Sequence, residues 1–451
     1  MSAFASLATL LTGSNVSHVE RRQLLVGFVC AFTMFAGYTM LRPVRETMGV
    51  TSGVRSLPAL FWSVFLVMLV MQPVYGWVMG RFKRRFVLPS VYVFIALTLV
   101  AFYVWFNLQS DQTWIARSYF VWVSVFNLFA VSVFWSLMVD VFTREQAARL
   151  FGFLSAGIST GGLVGPLLAS WLAEPIGTIN LLLVAASLFC IAAFCLAVLS
   201  REVVEPSDAL LGSQRAQVDD AQPVGAWAAF IQIKRSRYLL TIAAFLLLAT
   251  FINAVLYIEL QRAVADSLSS RDQQTTFFAR IDVFVQAGAL LTQLLLFPRL
   301  LRWLGFSKSL SLVPMLMAIS LTIVAFAPVL MVIAVVGVLR RVGEFGVTRP
   351  CREMLFTVVP RNEKYLAKSL IDTFVFRGGD AVSASLLAGI TALAVGTVVA
   401  GSATAIVGAI ACVFWVALAI VLAKRFVLMQ PSEMPSPPGA KADARPLAAR
   451  D

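Results

Sequence analysis

The sequence predicts an all-α polytopic membrane protein with 12 transmembrane helices arranged as two pseudo-symmetric six-helix bundles. Three observations predict it. Of 451 residues, 59% are hydrophobic and only 13% charged, with a mean hydropathy of +0.85, against roughly 45–50% apolar and 25% charged in soluble domains. Apolar windows of the roughly 20 residues needed to cross a bilayer recur along the whole chain. The basic residues, finally, fall in a pattern that assigns each loop to a side. This composition excludes soluble enzymes, secreted disulfide scaffolds and nucleic-acid-binding modules as leading readings, although a net charge of +13 alone would suggest a polyanionic partner.

Residues 1–23 form a polar, cytoplasmic N-terminal segment carrying the only histidine, His18. The apolar run 24–41 follows Arg21 and Arg22, is too long for a signal-peptide core and lacks a cleavage site, so it reads as a retained first helix. Further spans at 58–79, 86–106, 117–140, 150–173 and 176–199 complete a first bundle over 24–199. Residues 200–237, polar and rich in Asp, Gln, Ser and Arg, read as a flexible cytoplasmic linker. A second bundle over 238–424 holds spans at 238–259, 276–298, 309–327, 329–348, 369–396 and 400–423, and the Pro- and Ala-rich tail 425–451 reads as disordered and cytoplasmic.

With both termini inside, the inner loops and tails hold 28 of the 36 Lys and Arg residues. The outer loops hold Arg42, Arg45, Arg55, Arg117, Arg262 and Arg271, and Arg280 and Arg377 fall within spans. Positive residues bias loops to the cytoplasmic side, so most of the net charge is topology, and the expected location is the cell's inner membrane, in contact with the lipid bilayer. Five cysteines lie in or beside apolar runs without metal-type spacing. One histidine supports no His-based triad, zinc site or proton relay, so neither a metal nor a cofactor is expected.

Gly76-Trp-Val-Met-Gly80-Arg81-Phe-Lys83-Arg84-Arg85 resembles the loop 2–3 signature of the major facilitator superfamily, with Gly80 in place of its Asp and Lys83 in place of its second Gly. In the fifth span, Gly157, Gly161 and Gly165 recur every four residues and so share one helix face that admits close helix contact, with Pro166 able to kink the chain. This run is also similar to the fifth-helix motif of major facilitator antiporters. Arg42-Pro43-Val44-Arg45-Glu46, after the first span, recurs as Arg349-Pro350-Cys351-Arg352-Glu353 after the tenth. In a fold of nested three-helix repeats, those two helices line the central cavity; the same residues are also compatible with a helix boundary carrying interfacial arginines.

Lys364, Lys368 and Asp372 stand four residues apart on one stripe of the eleventh span, and Arg377 and Asp380 are spaced to pair at i, i+3. Ionisable residues in a span cost about 2.5–3.5 kcal/mol each on insertion scales and therefore face a cavity or a partner helix. Arg280 and Asp282 enter on the same logic, near the outer end of the eighth span, where water could solvate them.

Leu41-Arg42-Pro-Val-Arg45-Glu46, then Phe134-Trp135 with Glu145-Gln146-Ala147-Ala148-Arg149-Leu150-Phe151-Gly152, then Lys364-Tyr365-Leu-Ala-Lys368-Ser-Leu-Ile-Asp372 resemble, in order, the ATP/ADP translocase family of plastids and intracellular bacteria, a branch of the major facilitator superfamily. The resemblance extends from about residue 24 to about 395 and departs from the family's pattern at Pro43 and Gln146. It implies nucleotide exchange, with Arg45 and Lys368 in the places of basic residues that contact substrate phosphates.

Two readings follow. The first is a secondary transporter, working as a monomer by alternating access, that exchanges ATP/ADP-like nucleotides or a related phosphorylated or organic anion. Arg42, Arg45, Glu46, Arg280, Lys364, Lys368 and Asp372 form its binding set. The second is a proton-coupled exporter of drugs or apolar metabolites, in which Asp282, Asp372 or Asp380 carries the proton; Asp282, Arg377 and Asp380 form the expected coupling and gating set. An embedded enzyme is disfavoured, because neither a catalytic constellation nor a nucleotide-hydrolysing G-x-x-x-x-G-K-S/T motif is present.

Overall fold

The computed structural model describes residues 18–81, 84–201, 236–359, 368, 371–394 and 403–429. Its first half comprises α1 (His18–Thr51), α2 (Leu57–Arg81), α3 (Arg84–Leu108), α4 (Thr113–Val141), α5 (Arg144–Ile176) and α6 (Leu181–Ser200). The second comprises α7 (Arg237–Ser267), α8 (Arg271–Leu291), α9 (Phe297–Phe326), α10 (Leu330–Gly343), α11 (Arg349–Leu355), α12 (Phe376–Ala394) and α13 (Ala403–Met429). Single π-helical turns over Thr292–Leu296 and Glu344–Thr348 join α8 to α9 and α10 to α11, and a third, Ile371–Val375, leads into α12.

Nine helical stretches among the described residues are long and apolar enough to cross a membrane. The longest of them, Arg271–Phe326, is broken at Gly305, whose φ of 72° is a conformation that glycine adopts without steric penalty. That break falls between the spans expected at 276–298 and 309–327. With α10 and α11 as one pass and α12 as another, the described helices make twelve passes. Successive passes alternate in direction, so the first half ends at Ser200 and the second begins at Arg237 on one side, called the linker side; the opposite side is the far side. Large apolar side chains such as Phe94, Leu97, Ile319 and Phe414 are exposed on the periphery, where lipid takes the place of water.

Helix α1 runs ten residues beyond its expected end at 41, through Pro43 to Thr51. A hydropathy window stops at the charges of Arg42, Arg45 and Glu46, but these side chains face a protected polar space, so the helix continues. It packs on α5 through the glycine stripe. A methyl group on Gly157 would lie 3.0 Å from the Phe28 carbonyl oxygen, and one on Gly161 or Gly165 would overlap the α1 backbone at Phe32 or Ala36. Helix α5 continues through Pro166. At its start, Thr143 and Gln146 close a capping box, and Gln146 Nε2 also donates to Glu20 Oε1 of α1 at 2.6 Å. The neutral Gln146 thus has a structural task, fixing the linker-side ends of α1 and α5 to each other.

The buried apolar side chains form two main cores. One is built largely from α1, α3, α4, α5 and α6, the other from the second half together with Leu57, Leu60, Val64 and Met68 of α2. Helix α2 therefore leans on the second half: Trp62 Nε1 donates to Ser385 Oγ at 2.9 Å, and Phe65 meets Phe374 edge-on at 6.3 Å.

Candidate functional site: a charged layer between the halves

Helix α1 is almost wholly buried over 30–49, yet Tyr38, Arg42, Arg45 and Glu46 keep partial exposure. Spacings of three and four residues put them on one face, and that face borders the space between the halves. Facing it are Asn253 and Tyr257 of α7, Asp282 of α8, Arg340 and Arg341 of α10, and Asp380 of α12. Arg42, Asp282 and Arg341 lie 9, 11 and 11 residues from the far-side ends of their helices, a common depth of about 14–17 Å at 1.5 Å per residue.

Two carboxylates organise the layer. Glu46 pairs with its neighbour Arg45 and accepts hydrogen bonds from the Tyr257 hydroxyl at 2.6 Å and Gln261 Nε2 at 3.2 Å, both from α7. Asp282, 5% exposed, accepts from Arg341 Nη1 at 2.5 Å and lies 3.8 Å from Arg42 Nε. One carboxylate of the second half thereby joins α1, α8 and α10. Arg45 also donates to Ser124 Oγ at 3.4 Å, and its guanidinium lies 5.3 Å from the Phe120 ring centroid. Arg340 is within electrostatic reach of Glu344, Asp380 and Arg42. Two guanidinium nitrogens of this layer, Arg45 Nε and Arg341 Nη2, are enclosed and meet no hydrogen-bond acceptor among the described residues, a costly arrangement. The half-buried rings of Tyr38, Phe61 and Tyr257 border the same region, with Phe61 and Tyr257 edge-to-face at 5.5 Å.

Of the residues singled out in the sequence, the structure brings together Arg42, Arg45, Glu46 and Asp282, with Asp380 beside them. Three expectations about their setting are corrected. Arg42 and Arg45 lie inside α1 and not in an outer loop, because the helix continues to Thr51. Asp282 is a buried bridge, not a solvated residue at a helix end. Arg280 is exposed; two residues along a helix is a rotation of about 200°, so it faces away from the space Asp282 borders. Arg377 and Asp380 form no ion pair within 4.0 Å; Asp380 instead accepts from Asn253 Nδ2 at 3.5 Å. Lys368 pairs with Glu353 at 2.6 Å, outside the charged layer. Lys364 and the side chain of Asp372 lie outside the described residues.

The repeated pentapeptide does not mark equivalent sites. Chain direction in α1 is opposite to that in α10 and α11, so the first copy lies toward the far side and the second toward the linker side, where Arg349 stacks 5.4 Å from the Phe345 ring centroid. At the depth of Arg42 the second half instead presents Arg340 and Arg341. The sequence count of 28 inner Lys and Arg residues includes both with the inner loops although they lie inside the apolar run 329–348, and two adjacent arginines in such a run are the signal that places them in the membrane.

Among the described residues, hydrogen bonds join the halves at the centre and toward the far side. Thr47 and Thr275 share one at 2.8 Å, and Asp272 accepts from the backbone N–H and the hydroxyl of Thr178 at 2.7 and 2.6 Å. Arg271 donates to Gln112, and Gln286 Nε2 to the Gly162 carbonyl at 3.3 Å. These contacts tie the two halves together toward the far side.

Comparison with solved structures shows the same fold. A bacterial homologue of the human lysosomal transporter Spinster, inward-facing and unoccupied, superposes with a TM-score of 0.61 at 13% identity, covering 93% of this chain and 100% of that one. The nucleoside transporter NupG gives 0.59 at 13% identity over 90% and 98% of the two chains. A bacterial homologue of the iron transporter ferroportin, in an inward-facing state, gives 0.59 at 14% identity over 88% and 98%. No curated protein matches the sequence significantly. Residues 3–149 and 119–263 match the family model of the Major Facilitator Superfamily. That match spans more than half of the sequence and agrees with the twelve-pass, two-half architecture: the chain belongs to the Major Facilitator Superfamily.

Proposed function

We propose that this transporter exchanges organic anions carrying phosphate, ATP/ADP-like nucleotides first among them, across the inner membrane by alternating access, with the linker and both termini in the cytoplasm. The observation that carries the reading is the charged layer, in which the half-buried guanidinium groups of Arg42, Arg45, Arg340 and Arg341 outnumber the carboxylates Glu46 and Asp282 that pair with them. Guanidinium groups bind phosphate oxygens through paired N–H donors, and a half-buried layer between two lobes is where a transporter of this fold exposes its site to alternate sides. Tyr38, Phe61 and Tyr257 supply ring faces for a flat base. Lys368, toward the linker side, serves to attract the anion before it reaches the layer.

The arrangement also favours exchange over net transport. Asp282 holds Arg42 of the first half to the second, and α7 grips Glu46. An incoming anion competes with both carboxylates for the arginines, so loading loosens the ties that hold the halves and the empty carrier stays held. Proteoliposomes preloaded with ADP should take up labelled ATP several-fold faster than empty ones, and Arg45→Ala should abolish that uptake while remaining inserted. Full uptake by Arg45→Ala would remove the site from consideration.

A second reading rests on Asp380, which is buried and has no ion pair within 4.0 Å among the described residues. A carboxylate so placed can carry a proton in a coupled exporter. Counterflow that needs internal nucleotide and ignores an imposed pH gradient decides against it.

A further inference from the structure

Away from the charged layer, a cavity of about 830 Å³ opens between α2 and α4 on the far side, lined by Arg55 and Arg117 at one end and by Leu60, Val67 and Trp122 deeper in. Its origin is the tilt of α2. Because α2 packs on α12 through Trp62 and Phe65, it parts from α3, and the gap is backed by α4, whose Trp122 packs against Phe102 of α3 at 5.6 Å. The gap therefore opens laterally, toward the membrane. Arg117 holds its guanidinium 5.0 Å from the Trp114 ring centroid, and its Nε is buried without an acceptor. The neighbouring carboxylate, Asp111, accepts the Thr113 N–H at 3.0 Å and lies within electrostatic reach of Arg117 without forming an ion pair with it within 4.0 Å. Arg55 is exposed at the same rim.

We propose that this cavity binds an anionic phospholipid of the far-side leaflet, its phosphate between Arg55 and Arg117 and one acyl chain along Leu60, Val67 and Trp122. A soluble anion needs no apolar trough running about 18 Å down the helix, the distance from Arg55 to Val67 at 1.5 Å per residue. A neutral lipid needs no pair of arginines. Arginine at the headgroup level with tryptophan beside it is the combination expected at a membrane interface. The bound lipid would wedge α2 against α12 and so bear on a contact between the two halves.

Native mass spectrometry of the full chain in detergent tests this with phosphatidylglycerol, phosphatidylcholine and sn-glycerol 3-phosphate as probes. One phosphatidylglycerol should be retained more tightly than phosphatidylcholine. At roughly 1 kcal/mol per basic residue near a charged headgroup, Arg55→Gln/Arg117→Gln should weaken that binding by about thirty-fold. Arg302→Gln, an exposed residue toward the linker side, should leave it unchanged. Arg55→Gln alone, at an exposed position that no fold contact needs, should weaken it about five-fold, and this reading stands even where the double variant fails to fold. Equal retention of phosphatidylcholine, undiminished phosphatidylglycerol in the variants, or displacement by sn-glycerol 3-phosphate at matched concentration would each overturn the proposal, the last in favour of a free-anion site.

Discussion

Asp282→Asn tests whether the bridge between Arg42 and Asp282 holds the far side closed. The two side chains are 21% and 7% exposed, and their charged atoms are 3.8 Å apart. At an effective dielectric constant near 20, unit charges at that separation attract by about 4 kcal/mol, and removing one member of a buried pair costs about 3–5 kcal/mol. Arg341 loses its partner too, but it belongs to the same half as Asp282, so that loss is shared by both states of the carrier. A penalty near 3 kcal/mol on the closed state alone moves the ratio of far-side-open to far-side-closed molecules roughly a hundredfold. The assay is labelling from the far side by a membrane-impermeant maleimide at Thr47→Cys, a position buried in the closed layer against Thr275. Cys190, the exposed native cysteine, is replaced by Ala in all variants. Asp282→Asn should label at least about tenfold faster than its parent. Arg42→Gln should do the same, and the double variant should gain little more, since both remove one interaction. Unchanged labelling in folded Asp282→Asn, or effects of the two substitutions that simply add, would refute the bridge.

The far-side latch gives a second expectation: Asp272→Ala removes the one oxygen that accepts both the N–H and the hydroxyl of Thr178, a loss of about 1–3 kcal/mol, and should raise the same labelling rate with little change in substrate affinity measured from the linker side. Gly165→Ala forces a methyl group onto the α1 backbone and should lower stability in detergent by about 1–3 kcal/mol, whereas Gly152→Ala, with nothing within 4 Å of the new atom, should leave the melting temperature unchanged or slightly raised. Lys368→Ala breaks only a partly exposed pair with Glu353, of the kind that contributes about 0–1 kcal/mol. It should raise KM for the anion a few-fold at low salt, lose that effect at high salt, and leave maximal uptake intact; loss of maximal uptake would move Lys368 into the binding layer.

How much of this was legible in the sequence depends on which physical rule was being read. Span positions follow from hydrophobic length, and the twelve passes were recoverable because lipid leaves the backbone no alternative to helix. A close contact on one face of α5 is legible for a similar reason, since Gly157, Gly161 and Gly165 mark by their spacing where another backbone can approach, but which helix approaches, α1, is not. Reading failed where charge was taken only as a signal of loops. That rule ended α1 at 41 and left Arg42 and Arg45 outside the membrane, and it assigned Arg340 and Arg341 to the linker side. Both errors have one cause: a hydropathy window averages over a helix's circumference, whereas a transporter helix is apolar on three sides and charged on the fourth. The pentapeptide repeat misled for the converse reason. It is a resemblance in sequence between helices of opposite direction, and what the two halves share at the centre is a depth, with Arg42 from one side and Arg341 from the other meeting at a single carboxylate, Asp282. Two cations converging from different halves on one acid is an arrangement that no window along a single helix can display. It is also the arrangement that an anion of higher charge than Asp282 would displace, which is the competition that the proposed exchange requires.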